Sequence, residues 1–267
     1  MTAATSPLPA SSPVAPTRRG PGYWLRGYTS MVIFELISQR LFLPIMLFIQ
    51  IMLGAGMAVM YGYFLGGDLP PRSMTFLASG IPALALVPIG FMAVPMVVSQ
   101  QRANHSYDFV WSLPVPRLAA AAATFTVYTL LAIPGTVVSL AVAAWRYDAA
   151  FTVHAGVVPA VLLVALMSTS VGFGMAHAIE DPHVTNLIGN VLVFVVLLFS
   201  PIVVPIGQFP GWLAAIHQCL PFYHMAVVVR AGLTSGMTTD VARSCLILTA
   251  WTIASWLVAW RAISHRR

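Results

Sequence analysis

An all-α membrane protein is the fold this sequence predicts: six transmembrane helices, an N-terminal interfacial helix, and a broken re-entrant segment before the last span. Three observations carry the prediction. The 267 residues are 59% hydrophobic and 7% charged, with a mean hydropathy of +0.86. Seven acidic and thirteen basic residues cannot cover a water-facing surface of that size, which excludes a soluble enzyme. Runs free of Asp, Glu and Arg cover 41–65, 73–101, 118–145, 149–179, 184–229 and 244–260, most of them fitting one crossing of about 20 residues.

Residues 1–22 are rich in Pro, Ser, Ala and Thr, and their arginines, Arg18 and Arg19, follow that stretch instead of preceding an apolar one. That pattern predicts a disordered cytoplasmic tail and not a signal peptide. Gly20-Pro21-Gly22 stands where a twin-arginine signal would turn apolar. Residues 23–40 mix Trp24, Leu25, Tyr28, Met31, Val32 and Ile37 with Arg26, Ser30, Glu35 and Gln39. An amphipathic helix lying in the cytoplasmic interface fits this mixture, the alternative being an extension of the first span into water.

The six-span domain is placed at 41–262, with a cytoplasmic tail at 263–267. In the first span Gly54, Ala58, Gly62 and Gly66 recur every four residues and share one face, a seam along which another helix can approach. Its partner is either another span of this chain or a second copy. The second span carries Pro82, Pro88 and Pro95. The run 184–229 is long enough for two crossings, but Pro201, Pro205, Gly207, Pro210, Gly211 and Pro221 suit one crossing followed by a broken, partly re-entrant segment.

Orientation follows from arginine. Six spans put Arg18, Arg19, Arg26, Arg40, Arg102, Arg117, Arg261, Arg266 and Arg267 on one side, and Arg72, Arg146, Arg230 and Arg243 on the other. Nine against four predicts a cell-membrane protein with both termini cytoplasmic. A seventh span would put the last three arginines outside.

All thirteen basic residues are arginine, so the chain has no lysine for a phosphate-binding loop or a pyridoxal Schiff base. If ATP drives this protein, another chain hydrolyses it. His177, Glu180, Asp181 and His183 cluster between the fourth and fifth spans, but Pro182 breaks any helical metal-ligand spacing and solvated charge suits such a loop. His217, Cys219 and His224 match no structural zinc spacing. Cys219 and Cys245 both fall near the outer face, where a disulfide and two free thiols are both open. No catalytic, metal or cofactor-binding residue is assigned, and no nucleic-acid partner is expected.

Two segments resemble the membrane subunit of ABC exporters of the type-2 permease class, in their drug- and antibiotic-export-like branch. The first runs from Gln100 to Arg117, where Arg102, Ser106, Asp108, Pro114, Val115 and Arg117 fit the family pattern of Glu-Arg-Glu, Gly-Thr-Leu-Glu and Pro-Val-Ser-Arg. Gln101 and Ala103 replace the usual glutamates, and His105 the usual glycine. The second runs from Ser200 to Arg230 through Pro205, Phe209, Pro210, Leu213, Pro221, Phe222, Tyr223 and Arg230, with Pro201 in place of a glycine.

The resemblance implies an ATP-driven exporter with two permease halves, identical or homologous. Two copies of a separate ABC ATPase subunit would bind the ATP and Mg. A short helix around Ser106 to Leu113 would couple them, with Tyr107, Phe109 and Trp111 as anchors and Arg102, Asp108 and Arg117 orienting it. Pro205, Phe209, Pro210, Pro221, Tyr223 and Arg230 would form the re-entrant segment. The cargo would be a lipophilic drug, an antibiotic-like metabolite or a lipid; a lipid-linked glycan exporter and a non-transporting scaffold or sensor that recruits an ATPase are the alternatives.

Overall fold

The computed structural model describes residues 20–65, 70–104, 106–147 and 151–265, without the side chains of residues 65, 107, 108, 111 and 263–265. Most of the tail expected over 1–22 therefore lies outside the described residues. The described chain is helical: α1 Pro21–Ser38, α2 Phe42–Leu65, α3 Pro71–Ala85, a π segment Ile89–Ala93, α4 Val94–Ala103, α5 Ser106–Ser112, α6 Arg117–Tyr147, α7 Val157–Ala178, α8 Pro182–Phe199, a 3-10 turn Ile206–Gln208, α9 Gly211–Cys219, α10 Pro221–Leu233 and α11 Val241–His265.

Six helices are long and apolar enough to cross a membrane: Phe42–Phe64, Pro71–Ala103, Arg117–Tyr147, Val157–Ala178, Pro182–Phe199 and Val241–Ala262. A seventh unit, α9 with α10, is bent by 75° before the last of them. Proline accounts for the bend. Pro221 opens α10 and pushes Leu220 into an extended conformation (φ −83°, ψ 150°), so α9 cannot run on. Pro182 and Asp181 start α8 in the same manner, the Asp181 carboxylate accepting the His183 amide at 2.7 Å.

The second crossing is the hub. Its most apolar stretch is 89% buried inside the chain, against 22% for the first, fifth and sixth crossings. Lipid supplies no hydrophobic drive for helices to associate, so close backbone approach and interhelical hydrogen bonds must hold this hub. A proline-rich span would expose carbonyls, since Pro88 and Pro95 lack the amide hydrogen their helical acceptors need. The helix breaks at Leu86 and widens to a π turn before Pro95. Side chains from neighbours supply donors to carbonyls at this break: Gln50 Nε2 of α2 reaches the Ala85 carbonyl, and Ser168 Oγ of α7 donates to the Leu86 carbonyl at 3.0 Å.

Small residues bring those neighbours in. Gly90 faces the Ser168 backbone, Gly172 faces the Gly90 carbonyl, and Gly189 of α8 faces the Phe91 carbonyl. A side chain at Gly172 would occupy the space of the Gly90 carbonyl. Gly172→Val is therefore expected to abolish monodisperse protein while the chain still reaches the membrane, as read by size exclusion of a fluorescent fusion.

Candidate functional site

Two regions and the seam of α2 hold the residues that the sequence singles out. The first is the end of the bundle where α1, α4, α5 and α6 meet the turn between α7 and α8. Arg102, in the last turn of α4, donates from Nη1 to the Ala176 and Ile179 carbonyls at 2.6 and 2.8 Å, and from Nη2 to the Glu180 carbonyl at 3.2 Å. It thereby caps the C-terminal carbonyls of α7, where positive charge also meets the negative end of the helix dipole. The arginine near the start of the segment from Gln100 to Arg117 is thus a clamp on the fourth span.

α5 follows as seven residues with Ser106 and Phe109 exposed; Phe109 shows 57% of its surface. The side chains of Tyr107, Asp108 and Trp111 lie outside the described residues. Val110 turns inward and lines a cavity of about 30 Å³ with Met31, Glu35, Gln101, Thr124 and Phe173. Arg117 starts α6 and is exposed.

α1 is strapped across this junction. Its Tyr23 hydroxyl donates to the Pro114 carbonyl, Gly27 lies against Pro116 and Val115, and the Tyr28 hydroxyl donates to Thr126 Oγ1 at 2.8 Å. Gly27, Met31 and Glu35 form its buried face, while Leu25, Ile33, Leu36 and Ile37 are exposed. The acid of this helix is therefore inside with Met31, while the exposed side mixes those apolar residues with Arg26, Thr29 and Ser30.

Glu35 is 4% exposed, and its partners are neutral amides, Gln39 at 3.4 Å and Gln101; the Tyr128 hydroxyl accepts from Gln39 at 3.1 Å. Burial pushes its carboxyl above the ordinary value of 4.5, outweighing the two amide hydrogen bonds that favour the ionised form. The folded protein thus binds this proton more tightly than the unfolded chain does. The stability it contributes is fully present below 4.5 and is lost as pH rises through the folded value. Glu35→Gln is expected to remove that dependence and to raise the melting temperature at neutral pH more than at pH 4.5, measured across a pH series in detergent.

The second region is the broken segment. Pro210 stands at the start of α9 and Pro221 at that of α10; Phe209 packs edge-on against His217 at 5.9 Å, and Tyr223 lies beside His224 at 5.1 Å. Pro205 leads into the 3-10 turn. Eleven of the thirteen residues of α10 are buried, so it belongs to the core and not to a surface hairpin. Both ring nitrogens of His224 are engaged, with Ser244 Oγ at 2.9 Å and the Gln218 carbonyl at 3.0 Å. Cys219 and Cys245 are free thiols.

At the centre of α10 is Arg230, 2% exposed. Its Nε donates to Ser79 Oγ at 3.0 Å, its Nη2 to the Phe76 and Ile202 carbonyls at 3.1 and 2.7 Å, and its guanidinium lies 3.6 Å from the Phe76 ring centroid. It ties α10 to α3 and to the irregular turn after α8. The sequence shows Arg230 but not its partners, more than 150 residues away in Phe76 and Ser79.

The seam of α2 turns toward α6 of the same chain. Gly54 faces the Gly135 carbonyl, the Ala58 carbonyl accepts the Tyr147 hydroxyl, and Gly62 faces the Tyr147 ring. Gly66 lies outside the described residues. Gln50, one turn before Gly54 and 2% exposed, continues the same face; its signal was a lone amide inside an apolar run.

Six apolar crossings, a short helix joining the second and third, and a sharply broken helix pair before the sixth define a multi-pass membrane protein. Residues 29–234 match the ABC-2 type transporter family, and the chain belongs to that family as a membrane permease subunit. Its members are non-catalytic permeases that generally pair with ABC ATPase subunits. No curated protein matches the chain.

Proposed function

We propose that this chain is the permease half of an ATP-driven exporter of lipophilic or amphipathic substrates, of the kind that moves drugs, antibiotic-like metabolites or lipids out of the cytoplasm or inner leaflet. One observation carries the substrate class: α8 presents an outward stripe of Leu187, Val191, Phe194 and Leu198, 52–72% exposed and spaced at four, three and four residues. A second permease half laid against this stripe would complete a path walled by aliphatic and aromatic groups. Two such halves with two ABC ATPase subunits, which hold the ATP and Mg, form the working unit. The segment from Arg102 to Arg117 docks the ATPase, residues 1–22 form a cytoplasmic tail, 23–40 an interfacial helix, 41–262 the six-span domain, and 263–267 a second cytoplasmic tail.

Efflux of a lipophilic dye from cells expressing the chain with its ATPase tests the reading. Energised cells should export the dye, and Phe194→Arg should reduce export at least tenfold with insertion unchanged. Equal export with and without the permease would overturn it. Purified permease without the ATPase should hydrolyse no ATP above background. The nine-to-four arginine bias supports cytoplasmic termini. Ser264→Cys, in a chain whose Cys219 and Cys245 are replaced by serine, should resist impermeant maleimide in intact cells and react after lysis.

A further inference from the structure

At the end of the bundle opposite α1, the first turn of α3 and the irregular turn after α8 enclose a cavity of about 380 Å³. Leu77, Val203, Val204 and Met237 contribute apolar walls, with Phe76 beside them. A second cavity of about 290 Å³ adjoins it, sharing Arg72 and Met237 and lined otherwise by polar groups, Thr75, Thr152, Thr234 and Ser235 among them. One side of the combined space is therefore apolar and the other hydroxylated, with an arginine common to both.

The electrostatics of this space have one sign. No acidic side chain lines either cavity among the described residues. Arg72 is exposed and makes no ion pair with a described residue. It belongs to the first turn of α3, whose cap residue Pro70 offers that turn no side-chain acceptor. Phe76, part of the apolar wall, is backed by the buried guanidinium of Arg230 at 3.6 Å, and that group's hydrogen-bond acceptors are two carbonyls and a hydroxyl, not a carboxylate. Two cations, one at the mouth and one behind the wall, favour an anionic head; the walls favour an apolar tail.

The polar rim is held in shape. Thr152 and His154 donate their backbone amides to the Leu233 and Gly232 carbonyls at 3.0 and 2.9 Å, and both side chains meet Ser235 Oγ at 3.0 Å. Gly236 turns the chain with φ 71°, a conformation suited to glycine. The loop bearing Thr234 to Met237 is thus fixed against the loop between α6 and α7.

We propose that this bipartite cavity is a binding site for an anionic amphiphile, with Arg72 holding a phosphate or carboxylate head and Phe76, Val204 and Met237 receiving the apolar tail. The site deepens the permease reading by naming a substrate class at the far end of the bundle, and its biological use rests on that reading. Its binding chemistry does not.

The test is calorimetric titration of the full chain in neutral-detergent micelles with dodecyl phosphate, and separately with inorganic phosphate and 1-dodecanol. Dodecyl phosphate should bind at least tenfold tighter than either half-ligand. Arg72→Gln should reduce its affinity at least tenfold, to the level of dodecanol, and Val204→Trp, which fills the apolar side, should weaken dodecyl phosphate and dodecanol alike. Arg146→Gln, a charge change near the same end that lines neither cavity, should leave binding at the wild-type level. Equal affinity in wild type and Arg72→Gln, or an equal loss in Arg146→Gln, would overturn the site. Added phosphatidylglycerol distinguishes the source: displacement of dodecyl phosphate assigns the site to a membrane lipid, and persistence assigns it to exported cargo. Binding needs no ATPase, so failed titration sinks this site alone, whereas failed export by the intact chain sinks the permease reading alone.

Discussion

Arg230→Ala is expected to destabilise the protein by about 3 kcal/mol, the order reached when buried acceptors lose a charged donor at about 1–3 kcal/mol each and the relief of removing a buried charge is set against that loss. The Phe76 and Ile202 carbonyls and the Ser79 hydroxyl would lose their donor together, and a void would open beneath the Phe76 ring. A neutral interhelical hydrogen bond in a membrane averages only about 0.6 kcal/mol, so the argument depends on the charge-assisted fork and on what it leaves behind. Ile202 lies in an irregular turn, where no helix supplies its carbonyl with a partner. Gly80 lets that turn approach, since a side chain there would meet the Ile202 carbonyl.

Two further variants separate the contributions. Arg230→Met keeps much of the volume and removes a charge from a low-dielectric site, so it should cost less than alanine. Arg230→Lys retains the charge but not the planar fork, and should fall between wild type and alanine. The measurement is the fraction of monodisperse protein surviving a heat ramp in detergent, read by size exclusion. Wild-type melting of the alanine variant would show that α10 is held by its apolar contacts alone.

The six crossings were legible because each is a long apolar run bounded by charge or proline, and lipid permits little else. The 75° break was legible for a local reason: Pro221 constrains the residue before it whatever the tertiary context. What required the structure was everything depending on which helix lies beside which. Four-residue spacing on α2 announced a seam, but only the fold shows Gly135 and Tyr147 of α6 opposite Gly54, Ala58 and Gly62. Glu35 stands in the sequence as one polar residue among several in 23–40, and only the fold shows that the junction of α1, α4, α6 and α7 encloses it. The resemblance singles out Arg102, whereas its three carbonyl acceptors around the end of α7 follow no short-range pattern.

That attachment shapes the second large effect. Replacing Tyr107, Phe109 and Trp111 together with alanine should leave insertion intact and abolish ATP-driven export. α5 is only seven residues long and sits between two structural anchors, the Arg102 clamp on α7 behind it and the α1 contacts to Pro114, Val115 and Pro116 ahead of it. A push on such a short helix would be passed to the fourth span on one side and to α1 and α6 on the other. Phe109 is an apolar group more than half exposed, the kind of side chain a partner groove would take. Truncating a buried aromatic anchor typically costs a complex about 2 kcal/mol or more, which weakens docking more than tenfold. The clamp runs through Arg102 and carbonyls of the α7 end, and the α1 contacts run through Tyr23 and Gly27, so the variant should elute as the wild type does when the ATPase is absent. Co-purification of the ATPase should fall by at least tenfold, and export should fall with it. If the ATPase co-purifies at the wild-type level and export persists, these aromatics anchor α5 at the lipid interface and the ATPase docks elsewhere.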